Sequence, residues 1–259
     1  MSRNYGMDVL RAIAIISVIL SHALFFFIQA FPQYSIIKLV SYFFGFWGVE
    51  LFFILSGFLI GKILREQLIS QEKKWLLIFW IRRWFRTIPS YLLFLLINIF
   101  WYYYLQSDFP GFLFRYFTFT QNLAWEHPGF FPEAWSLAIE EWFYLIFPIL
   151  MIILIRCGLQ VVNAYLIGGA IILTFSVLFR WVCVVLDPSL TWDEGVRKIV
   201  VFRLDSLMYG VYLAWFIDSI INKKKILLLA GFVALFISMT ACFTLEYDHS
   251  FFSRHFNLA

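Results

Sequence analysis

Seven stretches of this chain, near residues 7–28, 44–61, 87–105, 135–155, 161–186, 199–218 and 226–245, are almost uninterruptedly apolar. Each is close to the length of about 20 residues that a helix needs to cross the hydrocarbon core of a bilayer. Inside lipid a backbone must satisfy its own hydrogen bonds, so runs of this kind fold as helices. The reading is therefore all-α: a polytopic transmembrane bundle of about seven spans, forming a single membrane domain over 1–259. The segment near 111–125, GFLFRYFTFTQNLAW, is amphipathic, short and interrupted, and reads as interfacial or re-entrant. Residues 62–86, rich in charge, read as the only sizeable cytoplasmic loop.

Composition closes the other options. Charged residues make up 14% of the chain and hydrophobic ones 63%, against about 25% and about 45–50% in soluble domains. The surface of a soluble globule could not be kept wet with so little charge. The runs are neither repetitive nor rich in Gly and Pro, which excludes disorder, coiled coil and collagen. A net charge of +4, with bases beside apolar spans, gives no nucleic-acid face. Cys157, Cys183 and Cys242 lie far apart in apolar surroundings and carry neither a disulfide framework nor zinc spacing. No metal site is expected.

Lysine and arginine accumulate on the cytoplasmic side of membrane proteins. With a cytoplasmic N-terminus, the inner segments collect Arg3, Lys62, Arg65, Lys73, Lys74, Arg82, Arg83, Arg86, Arg156 and Lys223 to Lys225, and the outer ones only Lys38, Arg115, Arg197, Lys198 and Arg254. The first span holds Asp8, Arg11 and His22 and lacks a small-residue cleavage site after it, so it reads as a working helix rather than a signal peptide.

Ionisable residues inside spans are costly and mark function by default. Arg11 and His22 are eleven residues apart, which returns to within roughly 20° of one helix face and separates them by roughly 16 Å along the axis. Asp8 shares that stripe. Counted from the outer span ends, His22, Glu50, Glu140, Glu141, Arg180, Arg203 and Asp205 all fall within roughly 6–9 Å of the edge. Such a layer makes a polar chamber open to the outside, where a histidine can serve as proton acceptor; for Arg180, snorkelling to the interface is the open alternative. On the inner side, WIRRWFRTIPSY sets Arg82, Arg83 and Arg86 just before the third span, with Pro89 near its first turn. Arg83 and Arg86 share a helix face and would offer a multidentate phosphate site, although topology alone also places arginines there.

Four segments in chain order resemble the acyltransferase 3 family of integral-membrane sugar O-acyltransferases. GMDVLRAIAIISVILSH resembles its opening helix, with arginine, ten residues, then histidine. GVELFFILSGFLI is similar to its aromatic and Ser-Gly-Phe segment, with Glu50 at the acidic position. Arg83 and Arg86 match its paired arginines, and WSLAIEEWFYLIFP its Trp-Ser-Leu and Glu-Glu-x-Phe-Tyr block. FRLDSLMYGVYLAW is a weaker fifth match.

The resemblance implies transfer of an acyl group, acetyl by preference, from cytoplasmic acyl-CoA to a hydroxyl of a cell-envelope glycan or lipid-linked saccharide, in a bacterial inner membrane. Acetyl-CoA is implied as donor substrate, with no permanently bound cofactor. Among residues, it implies His22 as general base with Glu140 and Glu141 as catalytic support, and Arg11, Arg83 and Arg86 on the donor path. Glu50, Trp135, Ser136, Arg203 and Asp205 fall on the acceptor side. The roughly 16 Å from Arg11 to His22 is comparable to an extended pantetheine arm, so the donor threads inward without crossing. Family members have about ten spans, which implies that a chain of about seven is either a fragment lacking the closing helices or an unusually short member. The competing reading is a transporter or flippase with an intramembrane polar chamber; it calls for broken helices and internal repeats, and neither is clear in the sequence.

Overall fold

Long apolar runs without helix breakers give long helices, and in several places the helix continues well beyond the apolar run. A computed structural model describes residues 5–31, 33–70 and 74–220. Its helices are α1 (Tyr5–Ala30), α2 (Ser35–Ser70), α3 (Trp75–Gln106), α4 (Leu113–Phe117), α5 (Ala134–Arg156), α6 (Val161–Leu186), α7 (Val200–Arg203) and α8 (Asp205–Ile220), with a π-helical turn at Asp193–Arg197 before α7. Among the described residues, α1, α2, α3, α5 and α6 are long and apolar enough to cross a membrane. The all-α polytopic reading holds at that level, with five such helices.

The expected span 199–218 is broken at Leu204 into a single turn, α7, and the 16-residue α8. The expected span 226–245 lies outside the described residues. The expected cytoplasmic loop is corrected: residues 62–70 continue α2, and 75–86 form the first turns of α3. Pro89 accordingly lies well inside α3, not in a first turn. Hydropathy reports where a helix leaves lipid, whereas Arg, Lys, Gln and Glu remain good helix formers in water, so the charged flanks stay helical.

The described residues fall into two units, one within Met1–Lys62 and Ser206–Ala259, the other within Ile63–Asp205. In the first, α1 and α2 meet through small residues, as membrane helices do when dispersion and interhelical hydrogen bonds hold them together. Ser21 Oγ donates to Ser41 O at 2.7 Å, and Ser41 Oγ donates to Ser21 O at 2.9 Å. A Cβ added at Gly48 would sit 2.7 Å from Val18 Cγ2 and 3.0 Å from Ala14 O. The approach of α2 to α8 is tighter still. A Cβ at Gly57 would overlap Leu207 O, and one at Gly210 would overlap Ile54 O. Both clashes are with backbone, so Gly57→Ala or Gly210→Ala must push the helices apart. Each is expected to cost about 1–3 kcal/mol and to lower the thermal midpoint in detergent; an unchanged midpoint would contradict the close crossing.

In the second unit α5 packs on α3, α6 and α7. Its inward positions, Trp135, Ala138, Ile139, Phe143, Tyr144, Phe147 and Met151, recur at helical spacing and are buried. The chain leaves α5 through Gly158, whose φ of +92° suits a residue without Cβ. The 111–125 segment is no span: it contains only α4 and turns, and Tyr116, Gln121 and Asn122 are fully buried. Asn122 Nδ2 donates to Trp135 O (3.1 Å) and Lys198 O (2.5 Å), and Gln121 Nε2 donates to Ala134 O. Val200 N and Val201 N in turn donate to Asn122 O and Leu123 O. Irregular backbone buried in protein must find its partners this way.

Candidate active site

The sequence sets the inner arginines and the outer glutamates at opposite faces. Within the second unit, Arg83 of α3 and Glu141 of α5 instead line one cavity of about 400 Å³, walled by Trp80, Trp84, Phe117, Phe119, Trp142 and Tyr144. α3 starts at Trp75, before the apolar run, so Arg83 lies two turns inside a 32-residue helix. Glu141 is likewise two turns inside α5.

Tyr144 joins the two sides. The Arg83 guanidinium carbon stands 4.9 Å from the centre of the Tyr144 ring. Tyr144 Oη donates to Glu140 Oε2 at 2.8 Å, and Trp80 Nε1 donates to the Tyr144 carbonyl at 3.0 Å. Trp80 and Trp84, one turn apart, stack with ring centres 6.1 Å apart. Glu141 is buried, and its Oε1 has no hydrogen-bond partner. Arg86 and Arg82 are exposed, and neither lines the cavity. The paired-arginine expectation thus separates into one cavity residue and one surface residue. Sequence reading missed Tyr144, Trp80 and Trp84, although the four-residue spacings Glu140/Tyr144 and Trp80/Trp84 were available as signals.

A second cluster is closed by charge. Arg180 does not snorkel: its side chain is 0% exposed, it donates to Phe202 O at 2.7 Å, and it pairs with Asp205 at 3.0 Å. Arg203 is equally buried, 5.9 Å from the Trp192 ring centre. Trp135 carries the Arg197 guanidinium over its ring at 4.7 Å, and Arg197 also pairs with Asp193. Lys198 bridges Asp193 and Glu194. Burial raises the Asp193 carboxyl, but Arg197 and Lys198 outweigh it and hold the group below the ordinary range. Ser136 is half-buried one turn before Glu140.

In the first unit, Arg11 and His22 lie on one unbroken helix, which preserves their roughly 16 Å axial separation. Arg11 pairs with Asp8 at 3.3 Å, His22 is exposed, and Glu50 of α2 is buried.

Between α4 and α5, His127 is buried edge-on to Tyr116. Burial, reinforced by the charge of Lys198 and opposed by the Pro128 backbone, lowers its imidazole from near 6.5 to about 4. The unfolded chain binds this proton below about pH 6.5 while the folded chain refuses it until about pH 4. Stability from this group is therefore full above pH 6.5 and declines as pH falls between those values. The drop in thermal midpoint from pH 7 to pH 5 is expected to shrink in His127→Phe; an identical drop would contradict the assignment.

Comparison with known proteins agrees with this architecture. The model of the acyltransferase domain matches residues 4–259. The chain is 30% identical over 242 residues to an O-acetyltransferase OatA of Staphylococcus aureus, covering 85% of this chain and 36% of that protein. It is 31% identical over 172 residues to the peptidoglycan O-acetyltransferase OatA of Listeria monocytogenes, covering 60% of this chain and 25% of the relative. The chain thus spans from a quarter to about a third of the length of these curated relatives. No solved structure matches it. With its motifs in order and the family model matched along nearly its whole length, the chain belongs to the acyltransferase 3 family.

Proposed function

We propose that the chain is a membrane O-acyltransferase that moves an acyl group, acetyl by preference, from cytoplasmic acyl-CoA to a hydroxyl of a cell-envelope glycan or lipid-linked saccharide. The observation that carries this reading is the shared cavity, in which the cation of Arg83 and an unbonded carboxylate oxygen of Glu141 face one apolar, aromatic space. A cation there can hold an anionic donor and a free carboxylate oxygen can accept from a hydroxyl. The names of the two bacterial relatives support acetyl as the group, and that of the Listeria protein supports peptidoglycan, an envelope glycan, as acceptor; the five long apolar helices support a membrane location. The arginine balance supports a cytoplasmic N-terminus.

In the reaction, His22 accepts the proton of the acceptor hydroxyl as its oxygen bonds to the thioester carbonyl carbon. The C–S bond then breaks, an ester is left on the acceptor, and the departing coenzyme A thiolate takes the proton back from the imidazolium. The family resemblance gives Glu140 and Glu141 the role of catalytic support. By the family resemblance Arg11, Arg83 and Arg86 are the donor-side residues, of which Arg83 is the one that lines the cavity, and Glu50, Trp135, Ser136, Arg203 and Asp205 are those of the acceptor side. The broken helix at Leu204 is a feature that a transporter would also show, but family membership favours the transferase.

The two arginines separate experimentally. A hydrogen bond to a charged group contributes about 1.5–3 kcal/mol, and 1.4 kcal/mol is a factor of ten. Arg83→Ala is expected to raise the KM for acetyl-CoA at least tenfold, and Arg86→Ala, at an exposed position, less than threefold. Unchanged donor affinity in Arg83→Ala would remove Arg83 from the donor site.

A further inference from the structure

Three arginines of the second unit, Arg180 and Arg197, which are buried, and Arg83, which is half-buried, differ in how their N–H groups are used. Arg180 directs its guanidinium to Asp205 and Phe202 O, and Arg197 directs its own to Asp193. Arg83 makes no hydrogen bond or ion pair to any described residue. Its position is fixed instead through its face, by the Tyr144 ring at 4.9 Å. A guanidinium has five N–H donors in its plane and none on its face, so stacking on an aromatic ring holds the cation without occupying a donor. The same tyrosine engages Glu140 through its hydroxyl at 2.8 Å, and it is 2% exposed. One rigid ring therefore sets both a cation on α3 and a carboxylate on α5.

We infer that Tyr144 is a positioning residue that presents Arg83 to the anionic acyl donor with all its N–H groups open, and that its hydroxyl separately orients Glu140. This rests on the donor role proposed above for Arg83. The two functions of Tyr144 belong to different atoms, so they separate by substitution. Tyr144→Phe keeps the ring and removes the hydroxyl, whereas Tyr144→Leu removes both. The backbone carbonyl that accepts from Trp80 is kept in each.

The test is steady-state transfer from labelled acetyl-CoA, with KM and kcat measured for both variants in membranes at matched protein level. Tyr144→Leu is expected to raise the donor KM at least fivefold. Tyr144→Phe is expected to keep the KM within twofold of wild type and to lower kcat at least fivefold. A wild-type KM in the leucine variant, or a KM raised equally in both variants, overturns the presentation of Arg83 by the ring. An unchanged kcat in the phenylalanine variant overturns the orientation of Glu140. The phenylalanine side chain is nearly isosteric, so the second comparison stands even if the leucine variant is recovered poorly.

A readout independent of donor chemistry separates failure of this inference from failure of the donor reading. Phenylglyoxal modification of Arg83, followed by peptide mass spectrometry, is expected to be several-fold faster in Tyr144→Leu than in wild type and unchanged in Tyr144→Phe. If wild-type protein does not bind acetyl-CoA while this pattern holds, the donor role fails and the ring contact stands. Equal labelling in all three proteins overturns the contact itself.

Discussion

Replacing His22 with alanine is expected to lower acyl transfer by about 10²–10⁴-fold, the usual loss when a general base is removed. The structure makes this a clean experiment. His22 is exposed on α1, so truncation leaves no cavity in the protein core. The contacts that dock α1 on α2, the reciprocal Ser21–Ser41 hydrogen bonds and the approach of Gly48 to Ala14 and Val18, involve neighbouring positions and remain in place. Loss of transfer at wild-type membrane level would then report chemistry. Transfer at the wild-type rate would remove His22 from the mechanism.

The largest stability effect is expected at Asp205. Its carboxylate is 1% exposed and pairs with Arg180, which is 0% exposed. Deleting one partner of a buried pair strands the other charge, at a cost of about 3–5 kcal/mol. Asp205→Ala is accordingly expected to lower the thermal midpoint in detergent sharply, and the double replacement Arg180→Leu with Asp205→Leu to restore much of it, since neither charge is then stranded. If Asp205→Ala matches wild type, the pair does not anchor the fold. The double variant also separates structure from recognition: recovered stability with lost transfer assigns Asp205 to the acceptor side, whereas recovered stability and transfer makes the pair a purely structural clasp.

The membrane class was legible because it depends on apolar length, and the bilayer tolerates few alternatives. Element ends were less legible for the same reason. Hydropathy located 87–105 but not the helical start of α3 at Trp75, because a charged helix and a charged loop have similar hydropathy. Nor does hydropathy show that Arg83 and Glu141 share a cavity, since that depends on how α3 and α5 pack. The break at Leu204 was hidden by continuous apolar sequence through FRLDSLMYGVYLAW. Just before the break, α7 has tertiary partners that no local pattern shows: Val200 N and Val201 N donate to Asn122 O and Leu123 O. Arg180 could be read either as a snorkelling residue or as a chamber residue; only the position of Asp205 after the helix break decides that it is buried and paired. Tyr144 was part of a quoted motif, yet its task depends on a residue about 60 positions earlier on another helix, and no local spacing reveals that.

The central claim is acyl transfer from a coenzyme A thioester to an envelope glycan, and reconstituted transfer tests it most directly. Protein in liposomes is supplied with acetyl-CoA labelled in the acetyl group and with peptidoglycan glycan strands, and the label on the glycan is measured. The account predicts ester-linked label on the glycan, lost in His22→Ala and requiring a higher donor concentration in Arg83→Ala. Label that crosses the bilayer without becoming attached to glycan, or that stays on coenzyme A when both substrates are present, would contradict it.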